Sequence, residues 1–159
     1  MFGSVRRLTA DGPARIYKEI RAAFDSENLA YREDALKREI WCLFEGDDMP
    51  VKLSVSVSDE APMIMFDCLL DFKAPDKSFG PVLEGLNVIN SSLHFGAFIL
   101  NPETGRLLYR YHFLLDGRIP SRDVILAVVK MVVDTVDAND GAIKALIPEK
   151  TSFADPMFG

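Results

Sequence analysis

Three runs of alternating apolar and polar residues, set too close together for a helix to fit between them, constrain this chain more than anything else in it. The cleanest is Val51 to Ser58. Val51, Leu53, Val55 and Val57 face one way and Lys52, Ser54, Ser56 and Ser58 the other, the period-two pattern of a strand with one buried and one wet face. Before it, in Leu36 to Glu45, Ile40, Cys42 and Phe44 alternate with Glu39, Trp41 and Leu43. After it, in Met63 to Phe72, the residues Ile64, Phe66, Cys68, Leu70 and Phe72 line one face. Gly46-Asp47-Asp48 and Asp59-Glu60-Ala61-Pro62 supply the turns. Parallel neighbours need a crossover of a dozen or more residues, so the three strands form an antiparallel meander.

Helical periodicity flanks the meander. Asp11 is a suitable N-cap and Pro13 a first-turn residue for a helix carrying Ile16, Ile20, Ala23 and Phe24 on one face, with Asn28 as its stop. A second helix is expected from about Pro81 to Ser91. A hairpin follows, Leu93 to Leu100 and Arg106 to Leu115, joined by Asn101-Pro102-Glu103-Thr104-Gly105. Ser121 caps a third helix from Arg122 to about Val136, after which Asp140-Gly141 suggests one further short turn. The predicted order is α-β-β-β-α-β-β-α, an α+β fold with helices packed on a mostly antiparallel five-stranded sheet. Residues 1–159 are read as one domain, with 1–10 and 149–159 as flexible arms in which Phe153 and Phe158 could dock.

Charge narrows the function. The chain carries 18 basic and 24 acidic side chains, a net of −6, and −5 of it falls in residues 41–80. A nucleic-acid partner is disfavoured, because phosphate affinity comes from clustered Lys and Arg. Met1 to Arg7 is not followed by the apolar stretch a secretory signal needs, and no apolar window reaches the roughly 20 residues of a membrane span. Cys42 and Cys68 lie in separate apolar segments and read as buried free thiols. A cytoplasmic protein is expected.

The apolar residues are more widely spread than one helical layer on a sheet would bury. Trp41, Leu43, Met63, Met65 and Leu69 lie opposite the core face of their strands, and Leu126 and Met131 widen the stripe of the third helix. Either the N-terminal arm and C-terminal tail cover this excess, or Trp41, Leu43, Met63, Met65, Leu126 and Met131 are the candidate surface for a second copy or a protein partner.

Catalytic signals are thin. His94 and His112 are the only histidines, each in a hairpin strand where they could be neighbours, and no Cys, Asp or Glu sits beside them at metal-ligand spacing. Gly80, Gly85 and Gly96 form neither a phosphate loop nor a dinucleotide fingerprint. Asp67 and Asp71 stand about 13 Å apart along one strand, too far for paired acid–base work. No enzyme, cofactor or metal is expected.

One stretch carries a resemblance. Leu86-Asn87-Val88-Ile89-Asn90, then Gly96, Phe98 and Leu100, a turn ending in Gly105, and Tyr109 to Leu115 before a helix resembles the YbjN family over residues 80–137. That family's pattern is an L-N-x-x-N at the end of the middle helix followed by a G-x-F-x-L strand and a hairpin. The family is described as bacterial sensory-transduction regulators. Its fold is similar to that of type III secretion chaperones, small acidic dimers that hold extended partners. The resemblance implies a non-enzymatic, chaperone-like, protein-binding regulator acting as a homodimer, and brings no catalytic residue with it. The alternative is a small-ligand sensor with an apolar cavity between sheet and helices. Independently of the resemblance, Asn87 and Asn90 are expected to satisfy loose helix carbonyls or to bond the backbone of the next strand.

Overall fold

Alternation becomes burial strand by strand. A computed structural model describes residues 12–148; the expected Asp11 cap and the tail phenylalanines Phe153 and Phe158 lie outside that range. Helix α1 (Gly12–Ser26) leads into β1 (Tyr31–Asp34), β2 (Glu39–Phe44), β3 (Val51–Val57) and β4 (Met63–Lys73). A 3-10 turn over Asp76–Ser78 precedes α2 (Phe79–Ser92), then β5 (Ala97–Leu100), β6 (Arg106–Leu114) and α3 (Arg122–Ala145). The sheet is antiparallel throughout, in the order β1-β2-β3-β4-β6-β5.

The sheet has six strands, not five. The extra strand β1 reads Tyr-Arg-Glu-Asp and pairs Tyr31 with Cys42 and Asp34 with Glu39. Its charges fit an edge position, where a short polar strand discourages further pairing. Leu36, expected to start a strand, lies in the β1–β2 turn at 94% exposure. There the Asp34 carboxylate accepts from the Leu36 and Lys37 amides at 3.1 Å. Glu33 ties this edge to α1, accepting from the Tyr17 hydroxyl at 2.5 Å and pairing with Arg21 at 3.1 Å.

All three helices pack on one face of the sheet or its margin. Val51, Leu53, Val55, Ile64, Phe66, Cys68, Phe98, Leu107 and Tyr109 meet Ile16, Ile20, Phe24, Val82, Leu86, Ile125, Val129 and Val132 in one buried core. Helix α3 starts as expected, with Ser121 Oγ accepting from the Val124 amide at 3.3 Å. It then continues nine residues past Val136, through Asp140 and Gly141, to Ala145. No separate turn forms, because the β2–β3 loop docks there: the Asp47 amide donates to Asp137 Oδ1 at 2.7 Å. The unusually wide apolar stripe of α3 also has an internal cause. The helix contacts β3, β4, α1 and α2, and Leu126 and Met131 lie half-buried against this core.

Candidate functional site: the open face of the sheet

Because the helices gather on one side, no helix among the described residues covers the other side of the sheet. Its side chains form cross-strand rows fixed by the register. One row runs Leu43, Lys52, Leu69, Leu108, Ile99; the next runs Arg32, Trp41, Ser54, Asp67, Arg110, Ala97; a third includes Glu39, Ser56, Met65 and His112. Met63 and Leu114 pair at the far end. Trp41, Leu43, Ile99 and Leu114 are exposed, and Met63, Met65, Leu69 and Leu108 are half-buried. The six candidate surface residues therefore separate. Trp41, Leu43, Met63 and Met65 share this face, whereas Leu126 and Met131 sit on α3 on the other side of the sheet.

The face carries a groove of about 760 Å³. Its shape follows from residue size. Ser54, small and half-buried, lies in β3 between the flanking strands that carry Trp41 and Leu43 on one side and Asp67 and Leu69 on the other. Six polar groups of the face satisfy one another in pairs. Arg110 donates to both Asp67 oxygens at 2.9 and 3.5 Å, Lys52 to Asp71 at 2.5 Å, and Ser54 to Glu39 at 2.6 Å. The Lys52 ammonium accordingly holds the Asp71 carboxyl below the usual carboxylate range. Apart from Arg32, Ser56 and His112, the remaining side chains of these rows are apolar.

The chemistry considered from sequence does not assemble. His112 lies opposite Met65, with Nε2 4.0 Å from an Asp67 oxygen already bound by Arg110, beyond hydrogen-bonding reach. His94 precedes β5 and stands outside its paired register, so the two histidines are not cross-strand neighbours. Cys42 and Cys68 are free and buried; burial raises both thiols, that of Cys68 to about 12, the reverse of a reactive cysteine. Among the described residues, no group of three His, Cys, Asp or Glu side chains is placed to hold a metal ion, and no helix is long and apolar enough to cross a membrane. The space between sheet and helices, where a ligand cavity was the alternative, is occupied by Phe24, Phe66 and Tyr109, each at most 1% exposed.

The motif residues shape the β5 edge. Asn90, near the end of α2, makes two bonds to one residue of β5: its Nδ2 donates to the Phe98 carbonyl at 3.0 Å, and its Oδ1 accepts from the Phe98 amide at 2.8 Å. The side-chain amide stands where a seventh strand would pair. Phe98 then packs its ring 5.0 Å from Tyr109, whose hydroxyl donates to the Phe95 carbonyl at 2.7 Å. Gly96 makes that approach possible: its φ is +65°, and a Cβ there would lie 2.3 Å from the Tyr109 hydroxyl and 2.7 Å from the Arg110 carbonyl. Leu86 is core, whereas Asn87 is exposed on α2.

The helices on one face of an open antiparallel sheet, with α2 crossing to an edge hairpin, define an α+β fold of two layers. The chain belongs to the YbjN family: a family model described as "Putative bacterial sensory transduction regulator" matches residues 17–145. Among solved structures, the chain is similar to the crystal structure of YbjN, described as "a putative transcription regulator from E. coli". That similarity has TM-score 0.64 and 11% identity, and covers 81% of this chain and 91% of that one. It is also similar to a chain of the ExsC–ExsE complex, with TM-score 0.62 and 12% identity over 82% of this chain and 95% of that one. No curated protein sequence matches.

Proposed function

We propose that this protein is a non-enzymatic regulator, acting as a homodimer, that holds an extended segment of another protein against the open face of its sheet. The single observation that carries this is the unclaimed apolar surface on a sheet covered by helices on one side only, since a soluble monomer rarely leaves such a patch bare. The mixture of Trp41, Leu43, Met63, Met65 and Leu69 suits varied partners, because methionine adapts its shape at little cost. The likeness to a chain from the ExsC–ExsE complex supports a protein partner. Strand addition is the less favoured mode: one edge is the short, charged β1 and the other is occupied at Phe98 by Asn90. Cytoplasmic residence fits the two free, buried thiols.

The test compares affinity capture by the unaltered chain, a Met63→Asp/Met65→Asp variant and a Leu43→Asp variant. Leu43 is 64% exposed, so its replacement leaves the fold intact. Proteins recovered by the unaltered chain and lost by both variants, at unchanged melting temperature, are the expected result. Equal recovery by all three removes this face from the reading.

A further inference from the structure

We infer that the segment held on the open face carries a carboxylate side chain two residues from a bulky apolar one, and that Lys73 and Arg106 receive the carboxylate. The inference rests on the reading of that face as the site of an extended segment. Past the Leu69–Leu108 row and a strand irregularity, Lys73 of β4 faces Arg106 of β6. Both cations are exposed, and both lie on the uncovered side, because their chain neighbours Phe72 and Leu107 pack into the core. Like charges directly opposite each other destabilise a sheet. The register contains one other such pair, Asp34 and Glu39. There each carboxylate has a partner, Lys37 for the first and the Ser54 hydroxyl for the second.

Among the described residues, none of the ion pairs includes Lys73 or Arg106. Asp71 is held by Lys52, and Asp47 and Asp48 lie against α3 on the covered side. Glu45 follows β2, two strands from β4, which is about 10 Å across the sheet. Asp76 and Glu103 lie outside the paired strands. A local rule broken without compensation inside the chain marks a functional position. A carboxylate of the bound segment, set between the two cations, offsets their repulsion. Side chains on one face of an extended chain repeat every two residues, about 6.8 Å, and that is also the step along β6 from Arg106 to Leu108. The acidic side chain therefore sets the next one on its face over Leu69 and Leu108, which line the groove of about 760 Å³. Nucleic acid fits less well, because two cations on a chain of net charge −6 do not track a phosphate backbone.

Fluorescence anisotropy on the full chain tests it, with labelled nine-residue serine peptides carrying leucine at the third, seventh and ninth positions. One has Asp at the first position and one has Lys there. A third has the Asp moved to the central fifth position, opposite Arg110, which Asp67 already holds. The peptide with Asp first is expected to bind about fivefold tighter than the other two, the scale of one exposed contact to each cation. That advantage should shrink as salt rises. Arg106→Glu turns the facing pair into one of opposite charge, so it should abolish the preference with a melting temperature at or above the parent's. A purely structural pair would not link those two changes. The neutral Lys73→Gln/Arg106→Gln variant should also lose the preference, and Met63→Asp/Met65→Asp should weaken all three peptides alike. Equal affinity for the three peptides, with all of them lost in the methionine variant, overturns the inference and leaves the reading of the face standing. Retention of the preference in both Arg106 variants overturns it too, as does tighter binding of a labelled oligothymidylate. Absence of binding by every peptide overturns the inference and the reading together, and leaves the face to another occupant such as a second copy.

Discussion

Asn90 replaces a missing neighbour strand with a side chain, so its removal leaves both polar groups of the Phe98 backbone unpaired. Asn90→Ala is expected to destabilise the fold by about 1–3 kcal/mol in urea unfolding, with capture of partners retained at temperatures where the variant is folded. A loss of capture at unchanged stability would move Asn90 from structure to recognition. Gly96→Ala forces a Cβ against Tyr109 at positive φ and should cost at least about 1–3 kcal/mol. Asp140 acts in the opposite sense. It is 2% exposed, its Oδ1 lacks a partner, and burial first, then the charges of Asp137, Asp48 and Asp47, push its carboxyl above the ordinary aspartate range. The unfolded chain ionises this group at the ordinary value and the folded chain only at a higher pH. Folded stability therefore falls as pH rises through that interval and stays lower above it. Asp140→Asn should raise the melting temperature at neutral pH and flatten the slope above about pH 4; a variant less stable than the parent at neutral pH would contradict this. Asn90 was legible because a short polar side chain between helix and strand has backbone groups within reach. Asp140 was not, since its burial depends on a loop about ninety residues earlier closing over it.

At the scale of elements, the amphipathic segments could be read and the exceptions share one cause. Strand β1 lacks alternation because Arg32, Glu33 and Asp34 serve an edge, and edge strands can be all polar when a neighbour supplies the pairing. Helix α3 outruns its expected end because Asp140-Gly141 has the local chemistry of a turn, while the docked Asp47 loop holds it helical. Local sequence carries neither contact. Two outcomes follow from this architecture. Ser121→Ala should remove one cap bond at the start of α3 and cost about 1 kcal/mol, measured by thermal unfolding. Amide exchange should be fastest along β1, tied down on one side only, and slowest in β3 and β4, which are paired on both sides.

For the whole molecule, the sequence showed an excess of apolar surface but could not apportion it. Part of the excess, at Leu126 and Met131, packs against the chain's own core, while Trp41, Leu43, Met63 and Met65 lie together on the uncovered side. The distinction needs the position of α3 between its neighbours, which no window of residues contains. Light scattering should give twice the 17.7 kDa chain mass at micromolar concentration, and a strictly monomeric solution would remove the homodimer from the proposal. The strand order also has a kinetic side. Strands β1 to β4 are neighbours in sequence and can zip as successive hairpins, but β4 gains its second partner only when Met63 meets Leu114 and Cys68 meets Tyr109. During synthesis the growing chain therefore exposes one unpaired edge of β4, the strand carrying Phe66 and Leu70, until β6 has left the ribosome. Pairing across that separation is the slow entropic step. Conservative truncations at the β4–β6 seam should slow refolding more than truncations within the β1–β2 hairpin do, and the nascent chain is most vulnerable to aggregation in the interval between the two.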